Sequence, residues 1–111
     1  MKSAQVLWND QLAGILTQVD SSHYEFEYSN AWLADSNKPA ISLTFPKTQK
    51  NYKADHLFPF FFNMLSEGVN RKLQSRLLRI DEKDDFGLLL ATSSKDGIGA
   101  VSVVPINNET E

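Results

Sequence analysis

Three short runs of strand-forming residues, separated by turn-prone segments, fill the first quarter of the chain and constrain its fold more than any other feature. Asn9-Asp10 divides the first two runs, and residues 20–22 divide the second from the third. In the third run, at 24–28, three aromatic residues alternate with two glutamates, so a strand here has one aromatic and one acidic face. The pattern predicts a β-hairpin over residues 5–18 and then a third strand, in an antiparallel meander.

The next segment is predicted to contain a helical turn, a fourth strand and a loop. Ser29 and Asn30 are suited to capping a short helical turn that follows them. Apolar residues alternate with serine and threonine at 41–45, and Pro46 ends the run, which predicts the fourth strand. Residues 47–54 are polar and contain three lysines, so we expect an exposed loop there.

Helical spacing begins after this loop. One helix is predicted from an N-cap at Asp55 to a C-terminal glycine cap at Gly68, with an apolar stripe at positions 57, 60, 61, 64 and 65. A second helix, from about Asn70, is predicted to have an apolar inner face and a basic outer face. The inner residues are Val69, Leu73, Leu77 and Ile80, and the outer residues are Arg71, Lys72, Arg76 and Arg79.

A third short helix is predicted after the acidic segment 81–85, and a last strand at 100–104 follows a turn at 93–99. The order of elements predicts an α+β fold, with a small antiparallel or mixed sheet of about five strands and two to three helices packed on one side. We expect one domain over residues 1–105, followed by a polar, frayed tail at 106–111.

Composition excludes several classes of function. The chain has 111 residues, no cysteine and a net charge of −3, so disulfide scaffolds, thiolate zinc sites and phosphate-driven nucleic-acid binding are disfavoured. It contains neither a signal-peptide stretch nor an apolar run long enough to span a membrane. We therefore expect a cytoplasmic protein that binds neither nucleic acid nor membrane.

Motifs that could carry chemistry lack the context that the chemistry requires. Residues 85–87 spell the Asp-Phe-Gly of protein kinases, yet no glycine-rich loop and no catalytic-loop motif accompany them. His23 and His56 fall on different predicted elements, and neither has a second ligand at metal-binding spacing. We therefore predict no catalytic residue, no metal site and no cofactor, and a protein that is not an enzyme.

Two surfaces each have two interpretations. The four basic residues between 71 and 79 form either a solvated helix face or a docking face for an acidic partner. The phenylalanine-rich run at 58–62 has more apolar width than one helix face needs, so it is either buried on two sides or partly exposed as a partner site.

Several motifs in this order are similar to those of a known family. They are VLWND at 6–10, LAGIL at 12–16, YEFEY at 24–28, ISLTFP at 41–46, FFFNMLSEG at 60–68 and GAVSVVP at 99–105. Over residues 5–105 the chain resembles the N-terminal subdomain of HipA-type serine/threonine kinases, the toxins of bacterial toxin–antitoxin modules. The resemblance implies that the ATP-binding and catalytic residues belong to a further portion of such kinases, which we expect this chain to lack because it ends at Glu111.

A stand-alone copy of this subdomain resembles the HipS-like antitoxins of tripartite HipBST modules. The resemblance implies a protein that binds and neutralises a separately encoded HipT-like serine/threonine kinase, with a HipB-like DNA-binding protein as a further partner in a ternary complex. A non-inhibitory accessory subunit, which completes the kinase or bridges it to the HipB-like repressor, is the alternative. The expected contact segment with the kinase consists of Ser66, Glu67, Gly68, Val69, Asn70, Arg71 and Lys72.

Overall fold

In the computed structural model, which describes residues 2–65, 68–92 and 100–106, five strands form one sheet. The strands are β1 (Lys2–Trp8), β2 (Gln11–Asp20), β3 (His23–Tyr28), β4 (Asn51–Ala54) and β5 (Val101–Pro105). Across the sheet their order is β4-β3-β2-β1-β5, and every neighbouring pair is antiparallel. The predicted meander of the first three strands is therefore confirmed, as are the last strand and the five-stranded α+β fold.

The turn between β1 and β2 follows directly from its two residues. Trp8 pairs with Gln11, so Asn9 and Asp10 form a two-residue loop. Both residues adopt the left-handed conformation, with φ of 47° and 67°. Positive φ at both positions is the requirement of a type I′ hairpin turn, and asparagine and aspartate accept this conformation more readily than most residues.

The core lies on the aromatic face of the sheet. Tyr24, Phe26 and Tyr28 of β3 are buried, as their alternation with glutamate predicts. The ring of Phe26 lies 4.9 Å from that of Phe45 and 5.9 Å from that of Phe61, measured between ring centroids. These contacts bring residues from three parts of the chain into one aromatic cluster.

The predicted fourth strand at 41–45 is wrong, because this segment forms turns. The hydroxyl of Tyr28 donates to the carbonyl of Phe45 and accepts from the amide of Ile41 at 3.1 Å. Two backbone groups of the segment are thus bonded to a buried side chain instead of to a neighbouring strand. Burial of Tyr28 raises the pKa of its hydroxyl, which stays protonated and able to donate.

The fourth strand is β4, which lies within the segment that we expected to be an exposed loop. Polar side chains of β4 lie opposite the acidic side chains of β3. Lys53 lies opposite Glu25 in the register of the two strands, and Nδ2 of Asn51 donates to Oε1 of Glu27 at 3.0 Å. Opposite charges across an antiparallel pair stabilise it, which a lysine-rich pattern considered alone does not reveal.

Four helices lie within the described residues, namely α1 (Asn30–Ala34), α2 (Pro59–Phe62), α3 (Gly68–Leu78) and α4 (Asp85–Thr92). The predicted helical turn α1 is confirmed, and its cap is Ser29, whose hydroxyl accepts from the amide of Trp32 at 3.1 Å. The predicted third helix is confirmed as α4. The predicted turn at 93–99 and residues 107–111 of the expected tail lie outside the described residues. Ile106 donates its amide to the carbonyl of Ser3 at 3.1 Å.

The long helix predicted from Asp55 to Gly68 is wrong. Only α2 is helical there among the described residues, and Gly68 begins α3 instead of ending the first helix. Pro59 explains the late start, because the residue before a proline is restricted to extended backbone, and Phe58 has ψ of 138°. The predicted burial still holds for most of the stripe, since Leu57, Phe61, Met64 and Leu65 are all buried.

Replacing Tyr28 with phenylalanine is expected to lower the free energy of unfolding by about 1–3 kcal/mol, because the Ile41 amide and the Phe45 carbonyl lose their partner. Urea denaturation monitored by circular dichroism measures this change. The matched control is Tyr24→Phe, whose hydroxyl bonds only the part-buried Gln18 side chain among the contacts described and whose loss should cost less than about 1 kcal/mol. Equal destabilisation by the two variants would contradict the structural role of Tyr28.

Candidate partner-binding surface

The start of α3 is attached to the rest of the domain through an arginine. Nε and Nη2 of Arg71 donate to the carbonyl of Glu82 at 2.9 and 2.7 Å, and Nη2 also pairs with the carboxylate of Asp85. Only 15% of the Arg71 side chain is exposed. One guanidinium therefore joins the first turn of α3 to the turn that precedes α4.

The end of α3 is attached through a serine. The hydroxyl of Ser75 donates to the carbonyl of Ile80, and the amide of Ile80 donates back to the carbonyl of Ser75 at 3.0 Å. Arg79 has φ of 58°, the left-handed conformation that commonly ends a helix. Ile80 then packs half-buried against the core, as predicted. The side of α3 that faces the domain is therefore anchored mainly by polar side chains.

The apolar side of α3 faces outward, so the predicted inner face is wrong at two of its positions. Leu73 is 50% exposed and Leu77 is 71% exposed. Each lies two residues after an anchoring side chain, Arg71 or Ser75, and two residues correspond to about 200° around a helix. Because the anchors face the domain, both leucines face away from it.

Exposed basic residues flank these leucines. Lys72 and Arg76 are exposed and four residues apart, on one side of Leu73 and Leu77, and Asn70 is exposed on the other side. Residues 68–79 contain four cationic and no acidic residues. We name this surface the outer face of α3, and it consists of Asn70, Lys72, Leu73, Arg76 and Leu77.

A second apolar feature lies at Phe62, which is 42% exposed. A hollow of about 270 Å³ between α2 and the start of α4 is lined by His56, Leu57, Pro59, Phe62 and Asp85. Phe58, by contrast, is buried. The phenylalanine-rich run is therefore mostly core, with one aromatic ring at the surface.

The expected contact segment 66–72 is divided by the structure. Ser66 and Glu67 lie outside the described residues, and Gly68 and Val69 form the start of α3, where only the backbone is described. Asn70 and Lys72 belong to the outer face of α3, whereas Arg71 faces the domain. Leu73 and Leu77 were missed as surface residues. The four cations and the absence of any acidic residue at 68–79 were a signal that part of this helix faces away from the domain.

The kinase-like tripeptide has a structural role. Asp85 pairs with Arg71, and Phe86 is fully buried. The amide of Gly87 donates to the carboxylate of Asp84 at 2.9 Å, and a side chain at position 87 would collide with that carboxylate. Asp84 thus caps the start of α4, and glycine at position 87 leaves room for its carboxylate.

Each histidine has an acidic neighbour at the surface. Nδ1 of His23 lies 2.6 Å from Oδ1 of Asp20, and Nδ1 of His56 lies 2.6 Å from Oδ1 of Asp55. The hydrogen bond with His23 lowers the pKa of the Asp20 carboxyl. Among residues 2–65, 68–92 and 100–106, no group of three histidine or acidic side chains is placed to hold a metal ion, and no helix is long and apolar enough to cross a membrane.

Comparison with known proteins identifies the domain. A family model described as HipA N-terminal domain matches residues 4–104. The chain belongs to the HipA N-terminal domain family. A solved structure, "N-terminal domain of HipA toxin", matches this HipA N-terminal domain with a TM-score of 0.72 and 25% sequence identity, over 97% of this chain and 95% of that one. The resemblance noted in the motif order is therefore confirmed.

Two relatives of this HipA N-terminal domain differ greatly in length. "Putative kinase Y4mE" of Sinorhizobium fredii is 31% identical over 104 residues, which are 94% of this chain and 24% of that protein. An uncharacterized protein of Haemophilus influenzae is 30% identical over 103 residues, 93% of this chain and 92% of that protein. The chain thus spans about a quarter of one relative and nearly all of the other.

Arg71→Ala is expected to lower the free energy of unfolding by about 1–2 kcal/mol, because Asp85 and the Glu82 carbonyl lose a charged partner that is largely shielded from water. Hydrogen exchange of the amides at 72–78 should also accelerate, since an isolated helix of this length is marginal in water. Exposed Lys72→Ala is the control and should change stability by less than about 0.5 kcal/mol. Unchanged exchange in Arg71→Ala would show that α3 is held by other contacts.

Proposed function

We propose that this chain is an antitoxin that binds and neutralises a HipA-like serine/threonine kinase toxin encoded by a separate, HipT-like gene. It docks on the kinase where a fused N-terminal domain would sit. The observation that carries the proposal is the match to the N-terminal domain of HipA toxin, which extends over nearly the whole of both chains. A domain with the fold of a kinase's own subdomain is suited to occupy that subdomain's place.

The two relatives indicate that this domain occurs both as part of a longer protein and as most of a short one. In Y4mE the matched segment is part of a much longer protein named as a kinase, whereas it makes up nearly all of the Haemophilus protein. We infer that this chain acts by binding and not by catalysis, without a cofactor, in the cytoplasm. A HipB-like DNA-binding protein is the further partner of the complex.

The contact segment with the kinase is residues 66–72. Asn70 and Lys72 support this proposal because both are exposed at the start of α3. The position of Arg71 suggests a different task from direct contact, since its guanidinium orients the segment through Glu82 and Asp85. Ser66, Glu67, Gly68 and Val69 would complete the contact.

A non-inhibitory accessory subunit is the second candidate function. It is favoured by Y4mE, in which the corresponding domain belongs to the same polypeptide as the rest of a protein named as a kinase. A domain that is part of a kinase is compatible with kinase activity, so this chain would then complete the kinase or bridge it to a HipB-like repressor.

Co-expression separates the two functions. We expect a HipA-like kinase from the same genome to arrest growth when induced alone, and growth to resume when this chain is co-induced. The control is the same kinase with its catalytic aspartate replaced, which should not arrest growth in either case. Continued arrest despite recovery of a kinase complex on affinity-tagged chain would favour the accessory subunit, and continued arrest without any complex would contradict both functions.

A further inference from the structure

We propose that the outer face of α3 docks as a preformed helix into a groove of the HipA-like kinase that has an apolar floor and acidic residues along one side. This inference rests on the proposed function and names the surface and the partner chemistry that it would use. It extends the contact segment 66–72 by one and a half helical turns, to Leu73, Arg76 and Leu77.

The apolar part of this face lacks a partner within the described domain. Leu73 and Leu77 lie four residues apart on one side of α3, and half or more of each side chain is exposed to water. Amphipathic helices normally turn such leucines toward the core, yet here the inward positions are held by Arg71 and Ser75. Burial of both leucines in an apolar groove would therefore stabilise a complex, because these side chains stay in contact with water in the free domain.

The flanking charge specifies the partner. Lys72 and Arg76 line one side of the leucines, and Arg71, the cation that faces inward, is already paired with Asp85. Carboxylates along the corresponding side of the groove would complement these two charges and would raise the rate of association. The positive charge is local, since the chain as a whole carries −3.

The same charges argue against two other occupants. In an antiparallel symmetric pair of copies, α3 packed on α3 would bring Lys72 and Arg76 of one copy close to those of the other, which is unfavourable. An anionic membrane surface would attract α3, but it would repel a domain of net charge −3, and the exposed leucines of one short helix offer little apolar area to insert. A groove on a kinase has neither disadvantage. In Y4mE about three quarters of the protein lies outside the matched domain, and that part could cover the corresponding face.

The helix is ready to bind without rearrangement. Arg71 and Ser75 fix both ends of α3 against the turn before α4 and against Ile80. Binding therefore does not have to order the helix, which lowers the entropic cost of association.

The double variant Leu73→Ala/Leu77→Ala tests the apolar part. Alanine keeps the helix, because its helix propensity is the highest of all residues, and both positions are exposed, so folding should be unaffected. We expect its dissociation constant for the purified HipA-like kinase used in the co-expression test, measured by titration calorimetry, to rise about 100-fold over wild type. The matched control is Leu43→Ala, at a leucine that is 99% exposed on the 37–50 segment, and it should change affinity by less than about twofold.

Arg76→Glu tests the charged part. We expect the association rate constant to fall about tenfold at low salt, with a smaller difference at high salt, since the steering charge is screened. The control Lys2→Glu makes the same charge change at an exposed residue at the start of β1, outside α3. It should leave the association rate constant unchanged.

If the double leucine variant loses its native circular dichroism, Leu77→Lys replaces it as the test of the apolar part, because position 77 is the more exposed of the two.

The outcomes separate this inference from the proposed function. If wild type binds the kinase and the leucine variants bind equally well, the docking face is wrong while the proposed function stands. If wild type does not bind the kinase at all, both are wrong. Two further results would overturn the inference by naming another occupant: a wild-type dimer in sedimentation that Leu73→Ala/Leu77→Ala converts to monomer, or wild-type binding to phosphatidylserine vesicles that the same variant abolishes.

Discussion

Burial of the aromatic face of β3 is the constraint on which the rest of the domain depends. The ring of Phe26 is covered by Phe45 from the segment after α1 and by Phe61 from α2. Tyr28 bonds the same segment through its hydroxyl, so residues 41–45 fold over the face as turns. With this cover in place, the chain returns beside β3 as β4, and Lys53 comes to lie opposite Glu25.

The helix α3 is attached to the domain by polar contacts instead of by burial of its apolar side. Its attachment to the domain is polar and its leucines face outward, so the hydrophobic core neither requires nor uses them. An element attached in this way keeps its shape while its apolar side stays available. This arrangement is consistent with the docking on a HipA-like kinase that we propose.

Prediction from the residues succeeded where the determining contacts are local. The type I′ turn at Asn9 and Asp10, the serine cap of α1 and the alternation of β3 all depend on residues within a few positions of one another. It failed at 41–45, whose partner Tyr28 is 13 to 17 residues away, and in the helix expected from Asp55, whose start Pro59 delays. The burial of Phe61 and Leu65 was still correct, because an apolar stripe reports which residues avoid water even when the backbone is not one helix.

For the outer face of α3, too, some features could be predicted from local sequence and others depend on distant contacts. The sequence by itself predicted a basic helix from about Asn70 with leucines four apart, since propensity and spacing are local properties. Only the tertiary structure decided which side of that helix faces water. The deciding contacts join Arg71 to Glu82 and Asp85, 11 and 14 residues further along the chain, and they turn the leucines outward. Helical periodicity specifies that a helix has two sides, but the choice between them belongs to contacts that periodicity does not encode.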